Sequence, residues 1–514
     1  MRAQAVNQLL STIGAVYSGR DSDLGTPIER AFPPIPGNAR VIPSGVAATP
    51  VSAAMLMSSW SMTLDFDDVM LGGHTCHSSV LVPLSLAEGR SGEELLLAQI
   101  VANEVAARIN MVCAVGSTRG QMATHLHLIA AAAARAKLEG LDEDTFADAI
   151  AWAISYPAQA LFPAFLGSDA KVSCAALPIR NGMEAVDAVK AGLIPPADPL
   201  DDPRGFFATA ARVPVRDFLG GLGERWHTAT TSFKIYPVCG YLCSAIDATL
   251  ALVREHDIDA EEIANVDVWS SVFTVGMDAH SKPYLDGRRI STLTFSTPFA
   301  VASAILARDL SPEQLKQAWI DDPRVWRLAA RVQSRHDTAL TLAALRGDIP
   351  VGAGLRRVTR LQAAAFGWSL ATAAFGKKGR WLRPLQTLRL VTAAILSKAK
   401  DLRMRNLRSF AALRMTEHSK MTKPIGARVE IRMNDGRVFT RAVSIPRAFA
   451  GANDDVRSLM REKFVRAATS TLGAEHAAQC AATIERIEEL SASEAQNLVE
   501  SLCETKEARL YAAH

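Results

Sequence analysis

A mainly helical protein carrying a smaller α+β part is the fold that the sequence predicts. Three observations point to it. Leu97, Val101, Val105, Ile109 and Val112 recur at steps of four and three between Gly92 and Cys113, which makes one apolar stripe on a helix. The run from Ala130 to Ala136 is almost pure alanine, the best helix former and one that lets neighbours approach closely. From Arg428 to Ser444 the period changes to two. Val429, Ile431 and Met433 alternate, Asn434-Asp435-Gly436 supplies a turn, and Val438 begins a returning strand.

The other elements follow in order. Residues 1–45 show no strong helix, and Pro33, Pro34 and Pro36 make an extended connector. Small and apolar residues from Ala47 to Met62 predict a buried helix. Asp142-Glu143-Asp144 caps a helix from about Thr145 to Ser155. Met183–Ala191 is a further helix, closed by Gly192 and stopped by Pro195-Pro196. After Phe233 the character changes. Ala245–Glu255, Thr297–Ala307 and Pro323–Val332 are predicted helices, whereas Ala264–Val275 alternates around Val266, Val268 and Val272 as a strand. Val456–Cys503 returns to helix and is expected to pack back on the first part. The predicted units are therefore a helical domain over 1–232, an α+β lid over 233–445, and a second helical piece over 446–514. A basic stretch at about 342–416, with Asp348 and Asp401 as its only acids, reads as an insertion with a solvated basic face; the rival reading is a basic arm.

Bulk properties narrow the function. A chain of 514 residues is too long for one ordinary core. With 49% hydrophobic and 21% charged residues it has globular composition. Its 56 Lys plus Arg against 53 Asp plus Glu leave a formal charge of +3, which argues for neither nucleic acid nor an anionic membrane as partner. The seven cysteines form no CxxC pair, and Cys239 with Cys243 lacks further ligands nearby, so free thiols in a reducing compartment are expected. The longest apolar stretches fall short of the roughly 20 residues that span a bilayer, and no secretory signal order opens the chain. The expected location is cytoplasmic.

The chemistry concentrates in Leu64-Asp65-Phe66-Asp67-Asp68-Val69-Met70-Leu71-Gly72-Gly73-His74-Thr75-Cys76-His77. Three carboxylates and two imidazoles near a core are costly unless solvated, paired or functional. The acids are expected to end one helix and the histidines to lie in the next loop, both facing one cleft. Three uses remain open: acid–base chemistry with an aspartate orienting an imidazole, a metal site of oxygen and nitrogen ligands whose spacing matches no closed pattern, or a solvated helix end. Lys171, after Gly167-Ser168-Asp169-Ala170, and Lys234, within Phe233-Lys234-Ile235-Tyr236-Pro237, are lysines among apolar types. Each either carries its head to water or binds a carboxylate.

Several of these segments, in this order, resemble the MmgE/PrpD family of 2-methylcitrate dehydratases and cis-aconitate decarboxylases. They are Leu64–Asp68 with His77, Ala130–Ala134 with Lys137–Asp142, and Gly167–Lys171 with Gly182. Lys234–Gly240 with Ile246-Asp247-Ala248, and Phe295–Ala302, complete the set. The resemblance runs from about Arg40 to Asp337 and again from about Pro424. It implies a helical domain built from both chain ends, a smaller α+β lid, a homodimer, and an interdomain cleft that binds a small polycarboxylate without metal or organic cofactor. It implies that Asp65 and His77 are catalytic, Asp65 orienting His77, and that Lys171 and Lys234 face substrate carboxylates. Lysine charge there would stabilise enolate-like density left by proton loss or decarboxylation. The chain also departs from the family pattern. Gln121 stands where a histidine is typical, Phe299 replaces a tyrosine, Cys243 a histidine and Val69 a threonine. Glutamine and phenylalanine transfer no protons at neutral pH, and Gln121 is assigned a hydrogen-bonding role toward substrate. The implied activity is a cofactor-independent lyase. The alternatives are an epimerase or isomerase of a small carboxylate, or a weakened, ligand-binding pseudoenzyme.

Overall fold

The computed structural model describes residues 1–116, 124–157, 159–363, 365 and 421–503. Contrary to expectation, the chain begins with a long helix, α1 (Arg2–Arg20), buried from Ala5 to Gly19. Asn7, Gln8, Ser11, Thr12 and Ser18 are among its buried residues, so no apolar period marks it in the sequence. A short hairpin, β1 (Ala39–Val41) with β2 (Val46–Ala48), leads into α2 (Pro50–Thr63). Thr49 starts α2 by accepting the Ser52 amide, and Pro50 sits where a missing N–H costs nothing.

Beyond α2 come β3 (Asp68–Val69), α3 (Cys76–Ser79) and α4 (Gly92–Val112). A capping box between Ser91 and Glu94 begins α4. Its predicted stripe is displaced in part. Leu97 is 43% exposed and Val101 and Val105 are half-buried, whereas Ile109 and Val112 of the stripe are buried together with Leu95, Leu96, Ala98, Ile100, Ala102, Ala106 and Ala107. Neighbours on several sides widen the buried arc past a single stripe. Length and composition would also let α4 cross a membrane, contrary to the sequence expectation; here other elements bury most of it.

Helix α5 (His125–Leu138) holds the alanine run. Ala130 to Ala134 and Ala136 are fully buried, and α4 and α7 (Ser173–Lys190) pack against it. Between them, α6 (Glu143–Ile154) is capped by Asp142, which accepts the Thr145 amide. Helix α7 begins ten residues before the predicted Met183. Pro178 lies inside it and masks the helical pattern in the sequence.

A two-residue strand, β4 (Ser232–Phe233), precedes the α+β part. There α8 (Cys243–Glu255) is followed by β5 (Ile263–Ser270), α9 (Val272–Ser281), α10 (Thr297–Ala307), α11 (Pro323–Ala329), β6 (Val332–His336) and α12 (Thr338–Arg346). The strand predicted through Val275 ends at Ser270, and Val272 opens α9 instead. Val332, predicted as a helix end, starts β6 in parallel register with β5. β7 (Ala427–Met433) and β8 (Val438–Val443) form the predicted hairpin, completing a four-stranded sheet in the order β8-β7-β5-β6. Helix α8 covers the β7–β8 face. Most of the basic stretch at 342–416 lies outside the described residues.

The chain closes with α13 (Val456–Leu472), α14 (Ala474–Glu485) and α15 (Ala492–Ser501). α13 and α14 pack on α1, so both chain ends share one helical core. The alanine surface of α5 leaves no room for larger side chains. Ala132→Leu should lower stability by about 1–3 kcal/mol, read as a lower urea midpoint at unchanged slope.

Candidate active site

The residues singled out in the sequence converge, although not as a row of helix-end acids. Helix α2 stops at Thr63, and Asp65 adopts a left-handed backbone, φ 53°, which aspartate tolerates better than most residues. That residue turns the chain so that Asp68 and Val69 can pair as β3. β3 binds antiparallel to β4, with Asp68 opposite Phe233, and the Lys234 amide donates to the Asp67 carbonyl at 3.3 Å. Two residues of sheet therefore fix Lys234 against the acids. A second reversal at Gly72-Gly73 carries the chain into α3. Gly73 has φ +116°, and a β-carbon on Gly72 would lie 2.2 Å from that of Ala107 in α4.

Asp65 is the centre. Its two carboxylate oxygens accept from Lys171 Nζ at 2.9 Å and Lys234 Nζ at 2.7 Å. Lys234 also donates to the Asp65 carbonyl at 2.9 Å and to Asp67 Oδ1. Lys171 comes from the 3-10 turn before α7, and its ammonium lies 4.9 Å from the Phe295 ring centre and 5.4 Å from that of Phe165. Burial pushes the Asp65 carboxyl up, but Lys171 and Lys234 outweigh it and hold the group at about 2. Asp67 is likewise held well below the carboxylate range against its burial, by Lys234 and His74. The same two acids push Lys234 up despite its complete burial.

The imidazoles gather on Asp67 rather than on Asp65. Asp67 Oδ2 takes the His74 Nδ1 and lies 3.4 Å from His77 Nε2. The expectation that Asp65 orients His77 is thus corrected: both Asp65 oxygens are engaged by lysines. On the other side of its ring, His77 Nδ1 meets Ser61 Oγ of α2 at 2.7 Å. His127, from α5, packs edge-on at 5.6 Å and bonds Ser78 at 3.0 Å. Burial pushes His77 down, so the neutral ring dominates near neutral pH.

Lys463, Lys423 and the Gln8 partner of Asp68 escaped the sequence reading. Lys463 of α13 is buried and donates to Ser11 Oγ at 2.9 Å, the Phe66 carbonyl at 2.5 Å and the Lys234 carbonyl at 3.1 Å. It joins both chain ends to the two backbone segments that carry the acids and the lysine. Its signal was a lysine on the stripe formed by Met460, Phe464 and Ala468. Lys423 donates to the Val69 carbonyl at 2.6 Å, and burial lowers both lysines to about 7. Asp68 accepts from Gln8 of α1 at 3.2 Å, and burial with the Asp67 charge raises it to about 6.

Among the described residues the cluster is buried and does not line the open cleft that the sequence predicts. Asp65, Asp67, His77, Lys171 and Lys234 are each at most 7% exposed, whereas the His74 side chain is 32% exposed. Both lysines are already paired. Phe299 is buried against Trp326, and Cys243 is buried at the start of α8. Gln121 lies outside the described residues.

The pairing sets an acid limit. Asp65 is depressed relative to its unfolded value, so its contribution is present above about pH 4 and fades as pH falls toward 2. Asp65→Asn should flatten that dependence and cost about 3–5 kcal/mol at neutral pH by leaving buried ammonium groups short of a partner. Urea midpoints followed from acid to neutral pH check both. Lys463→Met should cost about 1–3 kcal/mol for each abandoned carbonyl. It should also speed amide exchange across Phe66–Asp68, read by deuterium uptake.

The MmgE/PrpD N-terminal domain matches residues 1–216, and the MmgE/PrpD C-terminal domain matches 236–362. Two curated relatives, both named cis-aconitate decarboxylase and both from Aspergillus terreus, are 26% identical over 328 and 326 residues. The alignments cover 59% and 58% of this chain and 66% of each relative, just under two thirds of their length. The first match starts at residue 1 and so takes in α1, ahead of the Arg40 expected from motifs. Two halves of one family, met in order along most of the sequence, carry the conclusion that this chain belongs to the MmgE/PrpD family.

Proposed function

We propose that the protein is a cofactor-independent lyase of the dehydratase or decarboxylase type, acting beside a carboxylate of a small di- or tricarboxylate. The observation that carries this reading is the pair of ammonium groups converging on one buried carboxylate, next to a neutral imidazole backed by a second aspartate. Family membership and the name of the A. terreus relatives support the same class.

The pairing suggests how substrate enters. A substrate carboxylate takes over Lys171 and Lys234 as Asp65 swings toward solvent, so the two ammonium groups stay paired throughout. The ammonium groups then face the enolate-like density that forms when an adjacent C–H loses its proton or a carboxylate leaves as CO₂. In dehydration neutral His77 accepts the C–H proton and, as imidazolium, hands it to the departing hydroxyl, which leaves as water; in decarboxylation His77 first takes a proton from solvent and then gives it to the carbanion. Asp67, 3.4 Å away, stabilises the imidazolium that results. In this scheme Gln121 supplies a neutral hydrogen bond. The protein works as a homodimer in the cytoplasm, with the α+β part closing over the cluster; light scattering checks the dimer.

A second reading has one specific observation in its favour. Both lysines are already neutralised within the protein, which suits a carboxylate-binding protein that releases its ligand unchanged. An epimerase would need only the proton steps. Proton NMR in deuterium oxide with cis-aconitate, citrate and aspartate-like acids separates all three. Elimination or CO₂ loss supports the lyase, deuterium exchange alone supports the epimerase, and binding without either supports the binding protein. For a lyase, His77→Gln should cut the rate by about 10²–10⁴ while changing substrate affinity only a few-fold. Unchanged turnover in that variant would remove His77 from the mechanism.

A further inference from the structure

We propose that Asp67, Cys76 and His77, with His74 as the fourth donor, form a binding site for a zinc-like divalent cation that arrests the chemistry of the cluster. The ligand atoms of Asp67, Cys76 and His77 lie within 4.8 Å of one another, and all three residues are buried. They offer a carboxylate oxygen, a sulfur and an imidazole nitrogen, a mixture that suits zinc better than magnesium or calcium.

The geometry is close to a zinc tetrahedron on one edge. Zn–N and Zn–O bonds of about 2.0 Å place neighbouring donors about 3.3 Å apart. His77 Nε2 and Asp67 Oδ2 are 3.4 Å apart. Cys76 Sγ lies within 4.8 Å of both of these donors. His74 already touches Asp67 Oδ2, and its partial exposure lets it swing outward as the ion enters. Lys234 occupies Asp67 Oδ1, so the other oxygen remains for the ion, and the lysine orients the ligand from behind.

Ser61 supplies the tautomer that a ligand needs. Its hydroxyl lies 3.0 Å from the Ser58 carbonyl and 2.7 Å from His77 Nδ1. When the hydroxyl turns to Ser58, its oxygen accepts the Nδ1 proton of His77, and Nε2 presents a lone pair toward Asp67. Binding then proceeds with one net proton lost: Zn²⁺ displaces the Cys76 thiol proton to water and forms the Zn–S bond. A thiol is ordinarily protonated at neutral pH and must lose its proton to bind the ion. The Asp67 carboxylate and the Cys76 thiolate, both ligands of the ion, offset the added charge. A ligated His77 accepts no proton, so the ion blocks turnover. Only that last consequence rests on the function proposed above.

The test uses the full chain and reads binding directly. Zn²⁺ is titrated against a chromophoric chelator, and Co²⁺ replaces it for absorption spectroscopy. The expected results are one equivalent bound, a thiolate-to-cobalt charge-transfer band, and release of about one proton per ion. Cys76→Ser should abolish the band and weaken zinc at least about tenfold, and His74→Gln should weaken it by a similar factor. Cys113→Ser, at a buried thiol outside the set, should leave both unchanged. Absence of the thiolate band in the unsubstituted protein overturns the proposal, and this outcome needs no variant to fold. Equal zinc affinity in Cys76→Ser overturns it as well. A band without any acid turnover would sink the lyase reading and leave the metal site standing.

Discussion

One carboxylate shared by two buried ammonium groups governs this molecule. Removing Asp65, Lys171 and Lys234 from water would be prohibitive for any of them singly. Together they are tolerable, because the two lysines satisfy both oxygens of Asp65 and Lys234 also reaches Asp67. Such a group of charges is weak evidence for stability but strong evidence for constraint, since withdrawing one member strands the others. The surrounding structure reads as the means of keeping these groups in place.

The constraint explains why so much of the chain is needed. Asp65 follows α2, Lys171 precedes α7 and Lys234 follows β4, and only a two-residue strand pair sets the acids against Lys234. Lys463 then ties that junction to both chain ends, with bonds to Ser11, Phe66 and Lys234. The small residues of α5 let α4 and α7 close over the same region, bringing His127 against His77. Helix packing and site assembly are therefore one problem in this fold.

Charge balance also gives the cluster its chemistry. Asp65 and Asp67 stay ionised because cations face them, while His77 stays neutral because burial outweighs its aspartate. Groups of opposite protonation preference thus stand side by side, the arrangement that acid–base catalysis requires. The same donors, seen from Asp67, resemble a soft-metal ligand set. A cluster that offers oxygen, nitrogen and sulfur donors within 4.8 Å is by that fact open to a Lewis acid.

By itself the sequence determined the local elements whose period or caps are strong. The alanine-rich helix, the helix begun by Ser296 and Pro298, the hairpin around Asn434-Asp435-Gly436 and the helix capped by Asp142 were all legible, because each is decided by residues within one or two turns of itself. It also marked Asp65, Asp67, His74, His77, Lys171 and Lys234 as unusual, since charge amid apolar residues is visible in one dimension. Tertiary structure alone decided who meets whom. Helix α1 carries its polar side chains inward toward Asp68 and Lys463, so no amphipathic pattern announces it. His77 found Asp67 rather than Asp65 because residues two apart, around a left-handed backbone position, point to different partners. Lys463 and Lys423 lie hundreds of residues from the carbonyls they hold. Spacing along a chain records helix and strand periods, but a contact between distant segments leaves no period to read.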